Sequence, residues 1–71
     1  MLSVILNRNE EVNILNGYPW VFNNEVHSFE GKIENGKVCK ILTIDKKFVG
    51  YGFLNTNSKI MVRILFWMKM M

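Results

Sequence analysis

The chain is forced to turn at Pro19, its sole proline. Pro19 fixes its own φ and pushes Tyr18 out of the helical region, while Gly17 can take the left-handed conformation that ends a helix. Whatever precedes residue 17 stops there, and the chain re-enters as an extended segment, Trp20-Val21-Phe22. Two residues apart in an extended segment, Trp20 and Phe22 share one side. Large aromatics on one strand face usually pack inward, so both are expected mainly in the core. Gly17 and Tyr18 are left at the surface of the corner.

Around this corner the apolar residues come in short runs separated by turn formers. No run approaches the ~20 residues of a membrane-spanning helix, and residues 1–6 lack the basic flank of a signal peptide. With 71 residues, 49% hydrophobic and 13% aromatic, the chain is too apolar for disorder. It is long enough for one small domain, burying only about 60% of the surface its unfolded chain exposes. Cys39 is the only cysteine, which excludes an internal disulfide and makes a reducing, cytoplasmic setting the expectation. Nine Lys and Arg against six Asp and Glu give a net charge of +3. That charge permits a polyanionic partner without requiring one.

Residues 2–6 read as a first strand and 7–9 as a polar corner. Residues 10–16 carry acids in a first helical turn, Val12 and Leu15 three apart, and Gly17 just past the end, which predicts a helix of about two turns that must pack on the strands. Residues 25–29 alternate as a further strand. Asn35-Gly36 is a hairpin signal leading into a strand over 38–44, and Asp45-Lys46-Lys47 is a second turn. The segment 48–54 alternates aromatic and aliphatic residues with Gly50 and Gly52, as a strand bent or closely approached by other backbone would. After the polar loop 55–58, a last strand puts Ile60, Val62, Ile64 and Phe66 on one face and Met61, Arg63, Leu65 and Trp67 on the other. Arg63 is the odd residue in this apolar run. Short strands divided by turns, with one helix after the first, predict a small, mostly antiparallel barrel.

Enzymatic chemistry finds no visible home in the sequence. Gly50-Tyr51-Gly52 is the sole candidate for a glycine-rich ligand turn, yet it sits inside a strand pattern with no helix after it. Cys39 lies in an alternating strand and reads as a buried, inert thiol. His27 has no second ligand at a metal-binding spacing, so no metal site is expected.

Two blocks of residues carry a family resemblance. Gly17-Tyr18-Pro19-Trp20-Val21-Phe22 with Glu25-Val26 is similar to a G-H-P-W-V-[FY] segment followed by E-[IV]. Gly52-Phe53-Leu54-Asn55-Thr56-Asn57-Ser58-Lys59-Ile60 with Arg63 is similar to G-x-x-N-P-x-S-x-I-x-x-R. Both patterns belong to the ribosomal large subunit methyltransferase I group, which methylates C5 of a cytosine in 23S ribosomal RNA using S-adenosylmethionine. The resemblance covers roughly residues 2–65 and corresponds to that family's N-terminal PUA domain, a small RNA-binding pseudo-barrel. It implies a mostly β (α+β) fold of five to six short, mostly antiparallel strands with one short helix after the first strand. Residues 1–67 would form the RNA-binding domain and 68–71 an atypical tail, with no methyltransferase domain in this chain. Tyr18 stands where the family usually has His, and Thr56 where it usually has Pro, which implies a looser loop.

From this follow the functional expectations. The chain is read as an RNA-binding module that positions RNA, structured rRNA above all, and is not catalytic alone. It holds no cofactor itself, S-adenosylmethionine belonging to the parent family. The resemblance points to Gly17 and Tyr18 in the loop and Arg63 in the last strand as RNA contacts; charge and placement add Arg8 and Lys59. Gly17 is explained equally well by helix termination and by backbone approach to RNA. The alternative is a small β-barrel protein-interaction or dimerisation module. Its apolar last strand would meet a second copy or an absent methyltransferase domain, with no membrane partner in either case.

Overall fold

A three-residue turn joins the two opposite edges of the sheet, and this single connection makes the sheet curl. The computed structural model describes residues 1–68; the expected tail lies, apart from Met68, outside the described residues. Six strands run β1 Ser3–Leu6, β2 Trp20–Phe22, β3 Val26–Glu30, β4 Val38–Leu42, β5 Phe48–Leu54 and β6 Ile60–Trp67, with helix α1 Glu11–Leu15 after the first. They form one sheet in the order β2-β6-β5-β4-β1-β3. β2 and β3 are therefore its two edges, yet only a 3-10 turn, Asn23–Glu25, separates them in the chain. Three residues span about 10 Å at most, so the sheet must bend round until its first and last strands meet corner to corner. This is the mostly β pseudo-barrel with a lone helix expected from the sequence.

Register slips accompany the bending. Each of the four antiparallel pairs contains one, for example between Ile5 and Leu6 against β3 and between Tyr51 and Gly52 against β6. An extra residue on one strand kinks it and increases the local twist. In β5 the glycines allow the close approach: a Cβ on Gly52 would meet the Arg63 carbonyl oxygen and Val62 Cγ1 at 2.5 Å, and one on Gly50 would clash with the Phe66 carbonyl oxygen. The sequence reading of these two glycines as places of backbone approach holds.

The core lies on the concave side and is built from medium-sized residues: Val4, Leu6, Ile14, Val21, Cys39, Ile41, Val49, Leu54, Val62 and Ile64. Four expectations are corrected here. Trp20 and Phe22 do share a side, their rings 6.4 Å apart, but it is the outer side; Val21 between them is the buried residue, and Trp20 is 37% exposed. In α1, a helix of only five residues, Ile14 is the buried position and Leu15 packs on the core as expected, whereas Val12 faces solvent. The Asn35-Gly36 turn exists, with Lys37 N–H donating to the Glu34 carbonyl at 3.4 Å, but it makes no hairpin. β1 lies between β3 and β4, antiparallel to one and parallel to the other. Finally, β6 alternates as expected only up to Ile64. Across from Tyr51 and Gly52 stand Phe66 and Ile64, so Leu65 is an extra residue. The slip reverses the faces, leaving Phe66 exposed while Trp67 packs on the core.

Thr56 also behaves otherwise than expected. Its N–H, which a proline would lack, donates to Asn35 Oδ1 at 2.7 Å, and its Oγ1 accepts from Asn35 Nδ2 at 3.0 Å. The β5–β6 loop is thereby tied to the turn before β4 rather than loosened.

Candidate functional site

The corner at residues 16–19 is set by backbone hydrogen bonds. Gly17 has φ +99°, its N–H donates to the Ile14 carbonyl at 2.9 Å, and Tyr18 N–H donates to Asn13 at 3.0 Å. This pair of bonds closes the end of the helix, as a left-handed glycine allows. A Cβ at Gly17 would meet nothing within 4 Å, so helix termination explains the glycine without a ligand. Beyond the corner, the Pro19 carbonyl accepts from Ile64 N–H at 2.7 Å, which fastens the loop to β6.

That fastening fixes the register of the outer face. Trp20 is opposite Arg63, and Arg63 is opposite Phe53, which in turn is opposite Val38. Residues directly opposite one another project from the same face with Cβ atoms about 5 Å apart. Trp20, Arg63, Phe53 and Val38 therefore form one row across β2, β6, β5 and β4, and all four are exposed. Tyr18 extends this row at its loop end, its ring 6.0 Å from Trp20 and 6.5 Å from Phe22. An arginine flanked by exposed aromatic rings supplies a cation for phosphate and flat surfaces for unpaired bases.

Of the five residues nominated from the sequence, Gly17, Tyr18 and Arg63 are joined into one surface through Trp20. Lys59, just before β6, is exposed, its carbonyl accepting from Asn23 N–H at 2.9 Å beyond the end of β2. Arg8 lies apart, on the far side of the 3-10 turn, where its neighbour Asn7 donates from Nδ2 to the Asn24 carbonyl at 3.0 Å. Carboxylates gather at that corner. Partial burial, then the charge of and a hydrogen bond to Glu25, then Glu11, raise the Glu10 carboxyl above its ordinary pKa. Glu25 in turn accepts from Phe22 N–H at 2.7 Å. Phe53, and Trp20 as a surface residue, were missed. Arg63 was visible as a misfit, but its cross-strand neighbours depend on register, which no local pattern carries.

The remaining candidates for chemistry stay structural. Cys39 is buried, and burial pushes its thiol up to about 11 despite a backbone hydrogen bond from Gly52 that lowers it. Such a thiol yields almost no thiolate at neutral pH. His27 stands in β3 with Nδ1 3.0 Å from Ser28 Oγ, and among the described residues no three His, Cys, Asp or Glu gather into a metal site. Gly50 and Gly52 are covered by the β6 backbone, which leaves no cradle for the phosphate or sulfonium group of a nucleotide-like cofactor.

Comparison with known proteins agrees with the fold. A family model described as a PUA-like domain matches residues 4–67. Ribosomal RNA large subunit methyltransferase I of Shewanella amazonensis is 34% identical over 47 residues, which is 66% of this chain. The chain spans only 12% of that relative's length.

Proposed function

The chain belongs to the PUA-like domain family, and from that premise we propose that it is an RNA-binding module of, or derived from, an S-adenosylmethionine-dependent 23S rRNA cytosine-C5 methyltransferase. It positions structured rRNA, works in the cytoplasm, and leaves methyl transfer and cofactor binding to residues outside this chain. The observation that carries the reading is the exposed row Trp20–Arg63–Phe53 with Tyr18 at its end. Arg63 neutralises a phosphate, the rings take unpaired bases, and the rigid corner at Gly17 holds Tyr18 in place. Lys59 adds charge along the same rim, and Arg8 contributes from the other side of the 3-10 turn. On this reading the module acts by binding and orienting its substrate.

The test is a titration of a labelled rRNA stem-loop at rising salt. Affinity should fall steeply with salt, and Arg63→Glu should weaken it at least about tenfold. An absence of binding at low salt, or an Arg63→Glu variant as tight as the original, overturns the reading. Exposed Leu65, Phe66 and Met68 favour a second reading, a protein-interaction module whose last strand meets another domain or a second copy. Light scattering distinguishes it, since Arg63→Glu leaves an apolar association intact.

A further inference from the structure

A second row, parallel to the first, crosses the same outer face. Phe66 is opposite Tyr51, Tyr51 opposite Lys40, Lys40 opposite Ser3, and Ser3 opposite Glu30. The Tyr51 ring lies 6.1 Å from Phe66 and 4.9 Å from Phe48, so three rings adjoin one another with Lys40 next in line. Both rows have the same composition: aromatic side chains with one cation among them. Neither contains a carboxylate until Glu30 at the far edge, and Glu30 is engaged by Lys46 in an ion pair.

We infer that this second row, centred on Tyr51 and Lys40, is a subsite for unpaired nucleotides of single-stranded RNA running on from the stem-loop held at Trp20 and Arg63. The inference rests on the RNA-binding reading above and deepens it. Three observations carry it. Tyr51 and Phe53 are two residues apart on β5 and project from one face, so the rows lie about 7 Å apart, a distance that neighbouring nucleotides of an extended strand can span. Each row offers a flat ring for a base and a cation for its phosphate, the two needs of single-strand binding. The centre of a protein-docking patch, by contrast, is depleted of lysine, whereas Lys40 stands within this face, opposite Tyr51.

The experiment compares two labelled RNAs on the whole chain: a blunt stem-loop, and the same stem-loop with a single-stranded overhang of about six uridines on either end in turn. On one end the overhang should raise affinity about tenfold or more, the gain expected from stacking one or two bases. Tyr51→Ala should abolish that gain and leave the blunt stem-loop's affinity unchanged. Tyr51→Phe should retain it, and Lys40→Gln should reduce it together with the salt dependence of the gain. Arg63→Glu should weaken both RNAs. An overhang that gives no gain, or a gain that survives both Tyr51→Ala and Lys40→Gln, overturns the subsite while blunt stem-loop binding upholds the broader reading. Failure of both RNAs to bind overturns both. A Tyr51→Ala variant with unchanged RNA affinities but a lower mass by light scattering would assign the row to protein association instead. Circular dichroism on each variant keeps a folding defect separate from a binding one.

Discussion

Trp20 and Val21 are neighbours in the same three-residue strand, and they serve opposite faces of one curled sheet. The concave face collects Val4, Leu6, Val21, Ile41, Val49, Leu54, Val62 and Ile64, all nearly or fully buried. The convex face collects Trp20, Phe22, Phe53, Tyr51 and Phe66 together with Arg63 and Lys40. A small barrel has little interior, and residues of Val and Ile size fill it without strain; most of its rings are left outside, with Phe29 and Trp67 packed at the margin of the core. The lesson is that in a domain of this size an aromatic ring in a strand is not by its size a core residue, since Trp20, Phe53 and Phe66 lie outside while Val21, Val62 and Ile64 fill the interior.

Substitutions on each face can break or sharpen this contrast. The largest effect belongs to Gly52, where any side chain meets the backbone of β6. Gly52→Val should cost at least about 3 kcal/mol, a large share of the roughly 4–10 kcal/mol available to a chain of this length. Urea denaturation would show a lost or strongly shifted transition, and an unchanged midpoint would refute the close packing of β5 on β6. Next comes a pair of truncations at comparable strand positions. Ile41→Ala on the inner face should cost about 2–5 kcal/mol, whereas Phe53→Ala on the outer face should stay within about 1 kcal/mol; equal losses would erase the distinction between faces. Gly17→Ala should destabilise by about 1 kcal/mol through its positive φ alone, with Asn in its place costing less.

The smallest effect is pH-dependent and comes from the acidic corner. Glu10 has a raised carboxyl pKa in the folded chain, so the folded state holds its proton more tightly than the unfolded state does. Stability contributed by this group therefore falls as pH rises from its ordinary value to its raised one, and the charged form is disfavoured at neutral pH. Glu10→Gln should stabilise by no more than about 0.5 kcal/mol at pH 7, since solvent still screens a site that is only partly covered. The gain should vanish near pH 4, as thermal melting at the two pH values would show.

Much of this architecture was legible in the sequence, and the illegible parts share one cause. Turn residues and alternation place every strand, Gly17 and Pro19 mark the corner, and Gly50 and Gly52 announce a close backbone approach. Arg63 stands out because a charge in an apolar strand must face outward. Face assignments failed where register slips. The extra residue at Leu65 turns Phe66 out and Trp67 in, and alternation read from one strand cannot detect it. Trp20 was given to the core on size, although it is opposite Arg63, and that pairing arises only when two distant segments meet. The parallel placement of β1 beside β4 is likewise a matter of topology, which is why Asn35-Gly36 makes a turn and no hairpin.

The most direct test of the two-faced account is RNA affinity measured alongside the denaturation midpoint for Trp20→Ala and Val21→Ala. The account predicts that Val21→Ala loses about 2 kcal/mol of stability and binds the rRNA stem-loop unchanged, while Trp20→Ala stays folded and binds about tenfold or more weakly. A Trp20→Ala variant that unfolds, or that folds and binds as tightly as the original chain, would contradict it.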